Sequence, residues 1–196
     1  MSSNERQPVH PTHVINVAIS GRASRNVGEC VTGHVLRYLA IPPGRGAALD
    51  LPCGTGYGCQ ILWAKGYDPL GVDRDAYTVQ TARAAYPNCR FEVADVEHFE
   101  PLQRFAVGAC FEGLEHFRDP LAALERMPQW AATWYVSIPV QAPNEWHYHV
   151  FRSRDEVRRF LELGFRSVEY IDRQYVPSRV AVDGVELPVP PMWRCR

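Results

Sequence analysis

Apolar positions recur at three- to four-residue spacing from Ser24, at Val27, Val31, Val35 and Tyr38. This predicts a helix that ends before the breaker run Pro42-Pro43-Gly44. Beyond it, short apolar runs alternate with helical periodicity. Ala47–Leu51 is expected as the first strand, Tyr57–Ala64 as a helix closed by Gly66, and Pro69–Asp73 as the second strand. Asp75 is placed to cap a helix carrying Ala76, Val79, Ala82 and Tyr86 on one face, with Pro87 as its stop. Cys89–Ala94 and Phe105–Phe111 read as strands three and four. Asp119-Pro120, an N-cap followed by proline at the first helical position, opens a helix with Leu121, Leu124 and Met127 inward. Trp134–Val140 is a fifth strand. Ser153 and Glu156 form a capping box ahead of Val157, Phe160 and Leu161, and Gly164 ends that helix. Phe165–Ile171 is a sixth strand. Asp183-Gly184, between apolar runs in Arg179–Val189, suggests a hairpin or a seventh, antiparallel strand. Nearly all-apolar strands alternating with helices mean a doubly wound α/β fold, its mostly parallel sheet covered on both faces.

The 196 residues suit one domain, with residues 1–23 loosely ordered and residues 47–170 as its ligand-binding core. Composition (46% hydrophobic, 22% charged) excludes wholesale disorder. A net charge of -1 gives no general field for nucleic acid, and no apolar stretch is long enough to span a membrane. Lys65 is the only lysine, which fits a GC-rich genome. The start, Met1 to His13, is polar and lacks the pattern of a signal peptide. Cys30, Cys53, Cys59, Cys89, Cys110 and Cys195 form no C-x-x-C pair, and most sit in apolar runs. They are expected to be reduced thiols of a cytoplasmic protein, without a zinc site or disulfide framework.

Ligands of open α/β sheets bind outside the carboxyl ends of the strands, near the switch in strand order. The turn after the first strand, in Ala48-Leu-Asp-Leu-Pro-Cys-Gly-Thr-Gly-Tyr-Gly58, stands at that place. Gly54 and Gly56 let the backbone turn sharply and approach a ligand closely. Asp73 ends strand two, where a carboxylate can accept hydrogen bonds from both hydroxyls of a ribose. Asp95 ends strand three, within reach of an adenine amino group. Together these residues predict a nucleoside site. A dinucleotide pyrophosphate wants G-x-G-x-x-G/A, whereas the spacing here is Gly54-x-Gly56-x-Gly58 after Asp50. A carboxylate at Asp50 would repel a pyrophosphate, yet could orient water or the amino group of an amino-acid moiety. A cationic nucleoside fits better.

These motifs resemble those of the class I S-adenosylmethionine-dependent methyltransferases. LDLPCGTGYG is similar to their first motif, GVDRD to their acidic loop after strand two, and FEVAD to the motif after strand three. Glu115-His116-Phe-Arg-Asp-Pro120 resembles the E-H-x-x-D-P segment of the small-molecule branch related to quinone-biosynthesis methyltransferases, and Tyr135–Pro139 resembles their fifth strand. The likeness runs roughly from Ala47 to Tyr170. It implies S-adenosylmethionine as cofactor: Gly54 and Gly56 beside the methionine part, Asp73 on the ribose, Asp95 and Val96 at the adenine, and Phe111 near the sulfonium. Pro52 departs from the family's usual glycine, and the N-terminal region has no clear counterpart.

Methyl transfer from a sulfonium is an in-line displacement that mainly needs positioning. An oxygen or nitrogen acceptor also benefits from a base, and His116, His147 and His149 are the candidates. The last two lie in the ring-rich loop beyond strand five, on the side where a flat or aromatic acceptor would sit. Their i, i+2 spacing would suit a metal, but no third ligand is evident and none is expected. The leading expectation is therefore an enzyme that methylates a small molecule at O, N or C. Two alternatives are an NAD(P)-linked oxidoreductase and a non-catalytic S-adenosylmethionine-binding protein. A DNA amino-methylating enzyme would carry an N-P-P-Y-type tetrapeptide where Phe111-Glu-Gly-Leu114 stands, so no nucleic-acid partner is expected.

Overall fold

A computed structural model describes residues 34–141, 145–171, 179–182, 185–188 and 192–196 of the protein. The expected loose segment 1–23, the first half of the Ser24–Tyr38 helix, Cys30 and the Asp183-Gly184 turn lie outside these residues. The expected alternation is realised as α1 (34–40), β1 (Ala47–Asp50), α2 (Tyr57–Ala64), β2 (Asp68–Asp73), α3 (Ala76–Ala85), β3 (Arg90–Val93) and β4 (Val107–Phe111). There follow a 3-10 turn (Leu114–His116), α4 (Pro120–Trp130), β5 (Trp134–Ser137), α5 (Arg154–Leu161), β6 (Val168–Ile171), β7 (Arg179–Val182), β8 (Val185–Pro188) and β9 (Met192–Cys195).

Seven strands form one sheet in the order β3-β2-β1-β4-β5-β9-β6, and β9 alone runs antiparallel to its neighbours. The antiparallel strand of the main sheet is thus β9, while β7 and β8 pair with each other as a separate two-stranded sheet. Successive strand residues alternate between two cores. Ala48, Ala109, Tyr135 and Met192 pack on one face, and Leu49, Cys110, Trp134 and Trp193 on the other. Each fully buried large apolar side chain contributes roughly 1.5–3 kcal/mol. Burial on both faces is why the central strands are mostly apolar. β3, at the sheet edge, can afford Arg90 and Glu92, with Phe91 alone buried.

Helix starts follow their caps. Thr78 N–H donates to Asp75 (2.7 Å), Ala122 N–H to Asp119 (2.9 Å) and Glu156 N–H to Ser153 (3.2 Å), each satisfying an otherwise unpartnered first-turn donor. Several strands are shorter than the apolar runs suggest. Phe105, expected in β4, makes only an isolated bridge to Ala131, because the ladder that β1 and β4 share begins only at Val107. No helix among the described residues is long and apolar enough to cross a membrane.

Candidate active site

The strand order reverses between β1 and β4, and the carboxyl ends of β1, β2 and β3 open there into a cavity of about 300 Å³. Its floor is apolar, from Leu51, Pro52, Val72 and Val96. Its rim is polar: Asp73 and Arg74 after β2, Asp95 and Glu97 after β3, His116 and Arg118 after β4. An apolar slot with a few convergent polar groups is the usual form of a small-ligand site.

Asp73 is fixed by the chain around it. Gly54 N–H donates to Oδ2 and Asp75 N–H to Oδ1, both at 3.0 Å, so the glycine turn and the start of α3 are tied to one carboxylate. Each oxygen keeps an acceptor site for a ligand hydroxyl. Asp95 orders its own loop by accepting from Glu97 N–H (3.0 Å). Glu97 in turn accepts from the N–H groups of Arg118 and Asp119 (2.7 and 3.2 Å), linking the loops after β3 and β4 across the cleft.

Of the sequence-predicted cofactor residues, Asp73, Asp95 and Val96 line the cavity. Gly54 reaches it through its hydrogen bond to Asp73. Gly56 sits at φ +85° where α2 begins, and a Cβ there would lie 2.7 Å from Ala82 and 2.8 Å from Phe91. Its smallness serves packing of the turn onto α3 and β3. Phe111 is buried edge-on against Tyr38, with ring centroids 4.7 Å apart.

Asp50 stands apart from the cleft. Its carboxylate is fully buried and accepts from the Tyr38 hydroxyl and from Cys59 Sγ (3.4 Å). Burial lifts its pKa to about 7, against the opposing pull of those two hydrogen bonds. The unfolded chain ionises Asp50 near the ordinary carboxylate value while the folded chain still holds the proton. Stability is therefore greatest below pH 4 for this group and falls as pH rises towards 7. Relative to Asp50→Asn, the wild-type unfolding free energy is expected to drop by up to about 1.4 kcal/mol per pH unit across that window and then level off. Urea titrations from pH 4 to 8 measure it; parallel curves for the two proteins would refute a buried protonated Asp50.

Directly after β4, Glu112 is paired with Arg37 (3.0 Å) and His34 (3.2 Å). Burial alone would raise its pKa, but the hydrogen bonds and electrostatic pull of His34 and Arg37 outweigh it and bring the carboxyl down to about 2. Three residues on, burial pushes Glu115 up to about 8. The backbone carbonyl of Glu115 accepts from Tyr148 and His149 N–H (2.9 and 3.3 Å), which moors the loop after β5 against the 3-10 turn.

That mooring sorts the three histidines. His116 Nδ1 lies 2.9 Å from the Trp146 carbonyl, and since a carbonyl only accepts, Nδ1 carries the proton. The His147 ring packs edge-on against His116, with centroids 4.7 Å apart. His149 faces the other way, with Nε2 3.3 Å from the Arg118 carbonyl. The ligating atoms of Glu115, His116 and His147 lie within 4.8 Å of one another. No metal site was expected from the sequence, where the i, i+2 spacing joined only His147 with His149. The structure instead joins His147 to His116 and adds the buried Glu115, a grouping that no local spacing announces.

A family of methyltransferase domains matches residues 48–132, the segment that builds β1 to α4 and hence the cleft. Solved structures share the fold. An S-adenosylmethionine-dependent methyltransferase from Clostridium acetobutylicum is 12% identical, covering 94% of this chain and 96% of its own, with a TM-score of 0.61. Magnesium protoporphyrin IX methyltransferase from Synechocystis, solved with S-adenosylhomocysteine, is 14% identical over 92% and 91%, with a TM-score of 0.62. The N-terminal domain of EvdMO1, solved with S-adenosylhomocysteine and D-fucose, is 20% identical over 84% and 82%, with a TM-score of 0.55. Curated protein sequences give no match. Residues 48–132 thus match a methyltransferase domain, and the sheet shares the Rossmann-like α/β fold of these solved methyltransferases.

Proposed function

We propose that the protein transfers a methyl group from S-adenosylmethionine to a small molecule. The observation that carries this reading is the pair of carboxylates, Asp73 and Asp95, at the ends of adjacent strands and lining one apolar-floored cavity. Asp73 takes the ribose hydroxyls, and Asp95 with Val96 holds the adenine. The methionine end runs toward the turn at Gly54 and Gly56 and toward Phe111, which lies nearest the sulfonium. Asp50 acts behind this surface, bracing Tyr38 and the start of α2. The acceptor enters between the 3-10 turn and the loop after β5, where Trp146 and Tyr148 are exposed and suit a flat ring. His116 and His147 face it, and His149 holds the loop in place.

The E-H-x-x-D-P segment favours the small-molecule branch, akin to quinone-biosynthesis enzymes, and a single domain acting in the cytoplasm accords with it. One of the similar solved structures is a magnesium protoporphyrin IX methyltransferase, named for a porphyrin, which is a small molecule. Calorimetry tests the cofactor: S-adenosylhomocysteine is expected to bind and NAD to give no heat. Tight NAD binding would overturn the reading in favour of an oxidoreductase. With labelled S-adenosylmethionine and a metabolite extract, a new labelled methylated product identifies the acceptor. Binding of the cofactor without any such product supports a non-catalytic role.

A further inference from the structure

Glu115 is 1% exposed, and neither of its carboxylate oxygens has a hydrogen-bond partner among the described residues. An orphaned buried polar group costs roughly 1–3 kcal/mol, more when charged. Protonation does not cure this, because the acid would bury an unpartnered O–H and an unpartnered C=O in its place. What the carboxylate faces is nitrogen: His116 Nε2 is 4.0 Å from Oε1, and His147 packs on His116.

We propose that Glu115, His116 and His147 bind one divalent first-row transition cation. Two imidazole nitrogens and one carboxylate oxygen suit zinc, iron or cobalt, whereas magnesium and calcium prefer all-oxygen shells. The three donor atoms already lie within 4.8 Å of one another. Ligands about 2.0–2.2 Å from such an ion stand roughly 3.4 Å apart, so closure needs about an ångström of side-chain movement.

The surroundings prepare the site. With its proton on Nδ1 and donated to the Trp146 carbonyl, His116 turns the bare Nε2 toward Glu115, the outer-shell arrangement that metal-binding histidines adopt. The backbone bonds from Tyr148 and His149 to Glu115 hold the loop that carries His147. Glu112 is engaged by Arg37 and His34 and His149 by Arg118, so neither belongs to the ligand set. Three protein ligands leave coordination positions open, and His116 also lines the cofactor cavity. On the methyltransferase reading above, an open position there would receive an oxygen of the acceptor, orienting it and favouring its deprotonated form. Metal binding itself does not depend on that reading.

The test uses the whole chain stripped with a chelator and titrated with Co²⁺, followed by visible absorption, and with Zn²⁺, followed by calorimetry. One ion per chain is expected, with ligand-field bands for cobalt. Glu115→Gln and His147→Ala are each expected to weaken binding about 100-fold or more, since even an outer-shell change costs about 10–100-fold. His98→Ala, on an exposed histidine outside the cluster, is expected to leave binding unchanged. If Glu115→Gln fails to fold, His147→Ala, on a half-buried loop residue, decides alone. Absence of stoichiometric binding, or binding that survives His147→Ala, overturns the proposal. S-adenosylhomocysteine calorimetry on the same metal-free preparation reads the cofactor site separately, so failure there counts against the methyltransferase reading and leaves the metal titration standing.

Discussion

Asp73→Ala is expected to weaken S-adenosylhomocysteine binding by at least about tenfold while the secondary structure stays intact. The ribose of the proposed cofactor would donate to a charged acceptor, and each such hydrogen bond contributes roughly 1.5–3 kcal/mol. The carboxylate also collects the N–H groups of Gly54 and Asp75, so its removal frees the glycine turn that the proposed cofactor's methionine end would use. Both effects act on binding. Neither touches the two cores, because Asp73 is only half buried at the end of β2. Asp73→Asn separates them. Its amide oxygen can still accept, but its NH₂ meets another donor at Gly54 or Asp75, so an intermediate loss is expected. Calorimetry on both variants, with circular dichroism as the fold control, measures the series. Wild-type affinity in Asp73→Ala would move the nucleoside away from β2.

The residues that were legible in the sequence are those whose meaning is local. Asp75, Asp119 and Ser153 each cap the helix that follows within three residues, and the αL glycine at 56 stands at the turn where it was expected. What the sequence hid depends on distant contacts. β9 is four residues, Met-Trp-Arg-Cys, too short to show a period of its own. It becomes a strand by pairing with β5 on one side and β6 on the other. Asp50 sits in an apolar run at the motif position where a ligand contact was expected. Its actual partner, Tyr38, lies on α1, twelve residues earlier, and without that hydroxyl the burial of the acid makes no sense. The Glu115–His116–His147 group spans a whole helix and strand, and only the mooring of the loop after β5 assembles it.

Gly56→Val is expected to cost the fold about 2–5 kcal/mol, a large share of the roughly 5–15 kcal/mol that holds a domain of this kind. Two independent penalties add. At φ +85° the backbone is in the left-handed region, which costs an L residue about 1–2 kcal/mol, and a β-branched one is least suited to it. The new Cβ would then sit 2.7 Å from the Ala82 methyl and 2.8 Å from the Phe91 ring, well inside contact distance, before either γ-methyl is placed. Over-packing of a close-fitted core costs a further 1–3 kcal/mol or so. Ala82 and Phe91 are both buried, so neither can swing into solvent to relieve it. Urea denaturation measures the loss, and a second substitution divides it. Phe91→Leu in the Gly56→Val background opens the space beside the turn, so the two changes together should cost less than their sum. The deficit that stays belongs to the backbone angle, which no neighbour can relax. A Gly56→Val protein within about 1 kcal/mol of wild type would mean that the turn adopts another conformation. The packing of the turn onto α3 and β3 described above would then be wrong.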